Sequence, residues 1–284
     1  MSLAPSAPLA PPLRLERARG RAEVGFVHRD GATRLDRLYQ EGQAKIRLPR
    51  VHGATPPTAV LINTAGGIAG GDRLAYGATF GAGSRALVTS QAAERVYRSS
   101  ATDGGRDGEI ATHLVVEAGA TAEWLPQETI LFDGAALSRT LEVEMAADAS
   151  ALLVESIVFG RAASGEEVTT CRLADRWRIR RAGRLVYAET FRIDGDARAV
   201  LAGAATGGGA RAVASLVWVA AGVETEIDRV RVGLDGLAVA AGASAFDGMV
   251  VARLASPSPR ALRDDLVRLL LHIRRAELPR VWSC

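Results

Sequence analysis

Apolar and polar residues alternate in many short runs along this chain, and glycine, alanine and aspartate separate the runs. Alternation with a period of two is typical of β-strands that bury one face. The density of such runs predicts a mainly β, layered architecture rather than βαβ units. The predicted strands are Arg21–His28, Ala32–Tyr39, Ala44–Leu48, Thr58–Asn63, Leu74–Phe80, Arg85–Ser90, Glu109–Glu117, Ala122–Pro126, Thr140–Met145, Ala151–Val158, a broken Glu167–Arg181, Arg184–Ile193, Ala212–Val219, Leu237–Ala243 and Val250–Leu254.

Three segments share one pattern, in which an apolar strand, a turn of small residues and a second apolar strand follow each other. They are ATFGAGSRALVTS (78–90), LVVEAGATAEWLP (114–126) and VEMAADASALLVE (143–155). Their spacing is uneven, so the repeat is weak. The pattern fits successive layers of an irregular β-helix or folded sandwich, and it fits plain β-hairpins equally well.

Two helices are predicted. Ser258 precedes Pro259 and an apolar stripe with helical spacing, which together indicate an N-cap, a proline at the first helical position and a helix ending at about Arg275. The stripe consists of Leu262, Leu266, Leu269, Leu270 and Ile273. The second candidate, Gly222–Val232, has a spacing that a strand would also satisfy. The fold class is therefore mainly β, stacked and many-stranded, with about two helices, one near the C-terminus.

Four glycines, Gly66, Gly67, Gly70 and Gly71, stand directly before Asp72. A phosphate-binding loop requires Gly-Lys-Ser/Thr, and a dinucleotide fingerprint requires G-x-G-x-x-G between a strand and a helix. Neither spacing occurs here, and the residues after Asp72 alternate like a strand. We therefore expect a structural or interfacial glycine loop.

Composition narrows the classes of function. The net charge is +3, but Lys45 is the only lysine, and the arginines are scattered among carboxylates. Aromatic residues make up only 5% of the chain, which argues against a nucleic-acid groove. No apolar run approaches the roughly 20 residues of a membrane helix, and the proline-rich start does not resemble a secretory signal. We expect a cytoplasmic protein with a disordered tail at residues 1–12 and one β domain over 13–284.

Carboxylates are the only plausible reactive groups in the sequence. Histidines are isolated, Cys171 and Cys284 are far apart, and neither zinc-type spacing nor a G-x-S-x-G motif occurs. We therefore predict no catalytic residue, no resident cofactor and no stable metal site. Glu155 lies in the apolar stretch SALLVESIVFG, where an ionised carboxylate requires a partner or water. A buried Arg–Glu pair and a polar channel both remain open.

Five segments in the same order resemble signatures of the UreD-type (also called UreH-type) urease accessory proteins. They are NTAGGIAGGDRL (63–74), TSQAAERVYRSS (89–100), EWLPQETILFDGA (123–135), ESIVFGRAASGE (155–166) and LPRVW (278–282). The resemblance implies a mainly β, stacked fold and a chaperone rather than an enzyme. It further implies binding to apo-urease and to a UreF-type protein, which recruits a UreG-type GTPase that carries Ni²⁺.

The resemblance also implies an internal, water-filled passage for nickel. Single oxygen ligands would attract the ion without trapping it, whereas histidine or cysteine clusters would hold it tightly. The first candidates are Asp72, Glu155 and Glu189, and the weaker ones are Glu94, Glu128 and Asp133. Asp72 capping its own loop, and pairing of the weaker three with Arg95, Arg98 or Arg139, are the alternatives.

Two other functions remain open at this point. One is a carboxylate-dependent glycan hydrolase or lyase on a β-helical scaffold, for which the dispersed tryptophans offer little support. The other is a pure interaction module that binds urease and the UreF-type protein but conducts no nickel.

Overall fold

The computed structural model describes residues 16–49, 56–100, 105–161 and 164–283. Within these ranges the chain is mainly β, with two mixed, open sheets and three α-helices, one of them near the C-terminus. The predicted fold class is thereby confirmed. The predicted tail, residues 1–12, lies outside the described residues, and the single domain over 13–284 stays a prediction.

The first sheet, sheet A, contains seven strands. Its inner strands pair in parallel, while the first and last strands in spatial order pair antiparallel with their neighbours. In spatial order the strands are β14 (Arg184–Gly195), β13 (Cys171–Arg181), β11 (Ala136–Met145), β8 (Gly108–Val116), β5 (Arg73–Phe80), β1 (Arg19–Arg29) and β2 (Ala32–Gly42).

The second sheet, sheet B, contains ten strands. Eight of them follow one path, namely β16 (Ala240–Phe246), β17 (Met249–Ser256), β15 (Ala212–Val219), β12 (Ser150–Phe159), β9 (Thr121–Leu125), β6 (Arg85–Ser90), β4 (Thr58–Asn63) and β3 (Ala44–Arg47). The remaining two are short: β10 (Thr129–Leu131) pairs with β12, and β7 (Glu94–Val96) pairs with β10.

The three similar segments form successive layers of a stack and not hairpins. In each, the turn carries the chain from sheet A to sheet B, giving the steps β5–β6, β8–β9 and β11–β12. Equivalent strands of successive layers pair in parallel. The turns are also hydrogen-bonded to each other, since Gly83 N donates to Ala118 O at 2.8 Å and Thr121 N donates to Ser84 O at 2.8 Å.

Two apolar cores lie on the two faces of sheet B. The inner core lies between the sheets and includes Phe26, Phe80, Leu114, Leu141 and Leu153. The helix-side core lies between the outer face of sheet B and the helices α2 (Ile227–Leu234) and α3 (Pro259–Arg274). Burying one large aliphatic side chain contributes about 1.5–3 kcal/mol, so both cores stabilise the stack.

Helix α3 begins as predicted, because the Ser258 Oγ accepts a hydrogen bond from Ala261 N at 3.2 Å and Pro259 occupies the first turn. It ends at Arg274, one residue before the predicted end. The second candidate, Gly222–Val232, is a short 3-10 helix, Val223–Glu226, followed by α2. No helix in the described ranges is long and apolar enough to cross a membrane.

The predicted strands are all present, with boundary shifts. The largest shifts are in β11, which starts at Ala136 and not Thr140, and in β13, which starts at Cys171 and not Glu167. Short elements that were not predicted include β7, β10, the helix α1 (Ala197–Ala202) and a 3-10 helix, Arg280–Ser283. The three residues of β7 and of β10 are too few to show alternation, and the six of α1 make fewer than two helical turns.

Candidate functional site

A cluster of charged side chains crosses the inner core between the two sheets. Arg139 on β11 and Asp175 on β13 come from sheet A, and Glu155 on β12 comes from sheet B. The Arg139 guanidinium donates to Asp175 through Nε at 3.0 Å and through Nη2 at 2.6 Å. Its Nη1 forms an ion pair with Glu155 and donates to Thr129 Oγ1 at 3.0 Å. Trp124 Nε1 donates to Glu155 Oε1 at 2.9 Å.

The alternation of side chains along each strand directs these charged groups into the inner core between the sheets. On β11 the odd-numbered residues face the inner core, and Arg139 lies between Leu137 and Leu141 on that face. On β13 the same holds for Asp175, between Leu173 and Trp177. Arg139 and Asp175 are register partners on adjacent parallel strands, so their side chains meet directly.

The cluster contains one cation for two carboxylates. Arg139, Asp175 and Glu155 are 4%, 5% and 6% exposed, so water screens them little. Burial raises the pKa of Glu155, against the lowering effect of Arg139, and the nearby Asp175 raises it further. Burial lowers the pKa of Arg139, but Asp175 and Glu155 together raise it more, so the guanidinium stays charged. With both carboxylates ionised the cluster carries one uncompensated negative charge, and the raised pKa of Glu155 shows that this charge is unfavourable there, so either a proton or a further cation would neutralise it.

Two cavities meet at this cluster. The first has a volume of about 200 Å³ and the second of about 450 Å³. Among the residues that the structure describes, only Arg139 and Glu155 line both cavities. Thr129 and Trp124 face the first cavity, while Asp175 and Trp177 face the second. The Arg139–Glu155 pair is thus the partition between them.

Glu94 lines the first cavity, together with Tyr76 and Asn63. Its carboxylate accepts a hydrogen bond from Asn63 Nδ2 at 3.0 Å. Burial raises the pKa of Glu94 to about 7, although Asn63 and Arg95 act in the opposite direction. Burial, assisted by Glu94, also raises the pKa of Tyr76. The first cavity therefore presents a carboxyl group that titrates near neutrality.

Glu189 lines the second cavity. Its two carboxylate oxygens accept hydrogen bonds from Arg253 Nη1 and from the Tyr187 hydroxyl. Arg253 also donates to Ser215 Oγ at 3.2 Å, and both residues line the same cavity. The carboxylate of Glu189 is therefore held in place and compensated by a cation, whereas Glu155 shares its arginine with Asp175.

The glycine loop forms part of the wall of the first cavity through Gly66. Gly67 has no room for a side chain, because a Cβ there would lie 2.3 Å from the Tyr97 ring and 2.8 Å from Arg95 O. Tyr97 OH donates to Gly66 O at 2.9 Å and fastens the loop to the region of Glu94. Gly71 has a φ of +85°, in the left-handed region that favours glycine, whereas Gly70 does not have a positive φ.

Asp72 caps this loop. Its Oδ2 accepts a hydrogen bond from Ala69 N at 2.8 Å, and its Oδ1 accepts one from Ala18 N at 2.8 Å. It lies outside the lining of both cavities. Both oxygens are thus occupied by backbone amides, as in the capping alternative.

Glu128 and Asp133 also lie away from the two cavities. Glu128 accepts from Arg263 Nη1 at 2.7 Å, a pairing that the sequence did not suggest. Asp133 pairs with Arg98 at 2.5 Å, one of the suggested partners. Burial acts to raise the pKa of Asp133, but hydrogen bonds from Thr170 and Thr169 lower it more, so the net pKa is below its usual range.

Three of the six candidate carboxylates therefore line the two cavities, namely Glu94, Glu155 and Glu189. Sequence reasoning missed Arg139 and Asp175 as site residues. A signal was present, since each interrupts an apolar face with period two, but the predicted strand that should have contained Arg139 began one residue after it. In the described part of the chain, no group of three or more histidine, cysteine, aspartate or glutamate side chains could hold a metal ion.

Comparison with known proteins identifies the family. Residues 18–283 match the family described as UreD urease accessory protein. The chain belongs to the UreD family. A urease accessory protein UreD from Mesorhizobium japonicum is 47% identical over 281 residues, which cover 96% of each chain. The protein of that name from Methylobacterium sp. (strain 4-46) is 46% identical over 276 residues, covering 95% of this chain and 96% of the relative. The resemblance of the five segments to UreD proteins is thereby confirmed.

Proposed function

We propose that this protein is a non-catalytic urease accessory factor that guides nickel into urease through the two cavities described above. Membership of the UreD family supports a role in urease maturation and favours it over the glycan hydrolase alternative. The observation that carries the passage is the meeting of two cavities at the buried Arg139–Glu155 pair, with Glu94 in the first cavity and Glu189 in the second.

The chemistry of the lining suits a travelling cation. Nickel would meet one carboxylate at a time, first Glu94, then Glu155, then Glu189, or the reverse. The amide of Asn63 and the hydroxyl of Thr112 also line the first cavity, and the hydroxyl of Ser215 lines the second. Such hard oxygen donors hold an ion more weakly than histidine or cysteine clusters, and transport requires binding that is favourable but brief.

The proposed partners are apo-urease at one side of the chain and a UreF-type accessory protein at the other. A UreG-type GTPase would deliver nickel through the UreF-type protein. The nickel would be cargo and not a resident cofactor. The protein would act in the cytoplasm.

Filling the second cavity tests this proposal. Ser215 faces the cavity beside Glu155, with which it is in register on the adjacent strand. Ser215→Trp should obstruct the passage and lower the nickel content of urease co-expressed with the accessory proteins. The matched control is Ser244→Trp on β16, an exposed position that is not part of the lining.

Complex formation has to be measured alongside nickel content. The expected result is that both variants still co-purify with urease and the UreF-type protein, while only Ser215→Trp gives nickel-poor urease. Normal nickel loading by a folded Ser215→Trp variant that forms the complex would exclude the passage and leave a pure interaction module.

A further inference from the structure

We propose that Arg139 is a gate between the two cavities: its guanidinium closes their connection, and a cation crosses only by displacing it from Glu155. This inference rests on the proposed function, because a gate requires an ion that travels between the cavities. It assigns to Arg139 a positioning and selecting role that goes beyond that of a buried ion pair.

The location of the guanidinium supports the gate. Arg139 contacts Thr129, which faces the first cavity, and Asp175, which faces the second. With Glu155 it forms the whole shared lining among the described residues. Any ion that passes from one cavity to the other therefore has to pass this side chain.

The hydrogen bonds indicate which contact opens. Asp175 binds the guanidinium through two nitrogens, Nε and Nη2, in the bidentate geometry that is strongest for arginine. Glu155 binds only Nη1, which also donates to Thr129. The contact with Glu155 is the weaker one, so Arg139 can leave Glu155 while Asp175 retains it. The second cavity, of about 450 Å³, provides space beside Asp175.

Charge explains what the gate achieves. Without the guanidinium, Glu155 and Asp175 would face each other with no cation between them. A divalent ion arriving there would be held by two carboxylates, and the passage would become a trap. Arginine keeps its charge at every physiological pH, so it competes permanently for the carboxylates without any proton transfer. An ion is attracted by Glu155 and then released when Arg139 returns.

The test is a gain of nickel binding. Titration of the full chain with NiCl₂ by calorimetry should show one site in Arg139→Gln, at least about tenfold tighter than any binding by the wild type, or about 1.4 kcal/mol. Adding Glu155→Gln to this variant should abolish the site. Arg139→Lys retains a cation and should show no gain.

A second variant covers the case in which Arg139→Gln fails to fold. The double variant Arg139→Gln/Asp175→Asn removes one cation and one carboxylate, so the net charge of the cluster is unchanged. It should also gain nickel binding, more weakly than Arg139→Gln. The gate is refuted if the folded variants gain no affinity, or if the gained site survives the Glu155→Gln substitution.

The outcome for the gate is separable from that for the passage. If Ser215→Trp blocks nickel loading but the Arg139 variants gain no affinity, the passage stands and the gate is wrong. If Ser215→Trp leaves loading normal, the passage is wrong and the gate falls with it.

Discussion

Strand β12 separates two regions of opposite character. On one face, Leu152, Val154 and Val158 pack into the helix-side core against α2 and α3, in apolar contact. On the other face, Glu155 interrupts the apolar residues and meets Arg139 between two cavities. Neighbouring residues of one strand thus face a filled apolar core on one side and a charged interior with two cavities on the other.

Under the proposed function, the helix-side core serves stability and the charged inner face serves nickel transport. Close packing of apolar side chains is the usual source of stability, and the helix-side core follows that rule. A buried ion pair is weak evidence for stability, because desolvation offsets much of the attraction. Empty volume beside buried charge costs further packing contacts. Under the proposed function, the inner face of β12 gives up packing contacts for a passage, and substitutions on the two faces should affect different properties.

The largest loss of stability is expected on the helix-side face. Leu269 of α3 is fully buried, and Leu269→Ala should lower the free energy of unfolding by about 2–5 kcal/mol, because it leaves a cavity. Leu271 of the same helix is 37% exposed, so the control Leu271→Ala should cost less than about 1 kcal/mol. Denaturant unfolding measures both. The amount of nickel loaded per folded molecule should be unchanged in both variants. Reduced nickel loading by the folded Leu269→Ala variant would contradict the separation between the two faces of β12.

A smaller effect, of opposite sign, is expected at Glu94 in the first cavity. Its pKa of about 7 in the folded protein exceeds the usual value of 4.5, so ionisation above pH 7 destabilises the fold. Glu94→Gln should therefore raise the free energy of unfolding by about 3 kcal/mol at pH 8, the gain shrinking as pH falls through 7 and vanishing below about 4.5.

Unfolding of both proteins at pH 5 and pH 8 measures this. The control is Glu109→Gln on β8, half exposed, which should change stability by less than about 1 kcal/mol at both pH values. A stabilisation by Glu94→Gln that is equal at pH 5 and pH 8 would contradict the assignment of a raised pKa to Glu94.

The sequence predicts the scaffold better than the site. Alternation defines the strands, and the Ser258–Pro259 start with its leucine stripe predicts α3, because both signals are local. The choice between stacked layers and hairpins depends on which strands pair across 30 or more residues, and no local pattern decides it. β7 and β10 have three residues each, too few to show a period, yet they carry Glu94 and Thr129.

The site depends on pairings that the sequence does not specify. Glu155 was singled out correctly as a buried carboxylate, but its partner could have been any arginine. Arg139 reaches it only because β11 and β12 lie in opposite sheets. Asp72 is the opposite case, a candidate whose partners turned out to be backbone amides. Its position beside four glycines suggested a nickel contact, but its oxygens accept hydrogen bonds from the amides of Ala18 and Ala69.

The most direct measurement compares Glu155→Gln with Glu128→Gln. Glutamine has one acceptor oxygen, which can serve Trp124 or Arg139 but not both, while Arg139 retains Asp175, so Glu155→Gln should lower the free energy of unfolding by about 1–3 kcal/mol. The nickel content of urease matured with it should nevertheless fall severalfold, at unchanged complex formation. Glu128→Gln, at a part-buried carboxylate that pairs with Arg263 and lies outside the lining of both cavities, should leave nickel content normal. Equal nickel contents with the two variants would contradict the passage through Glu155.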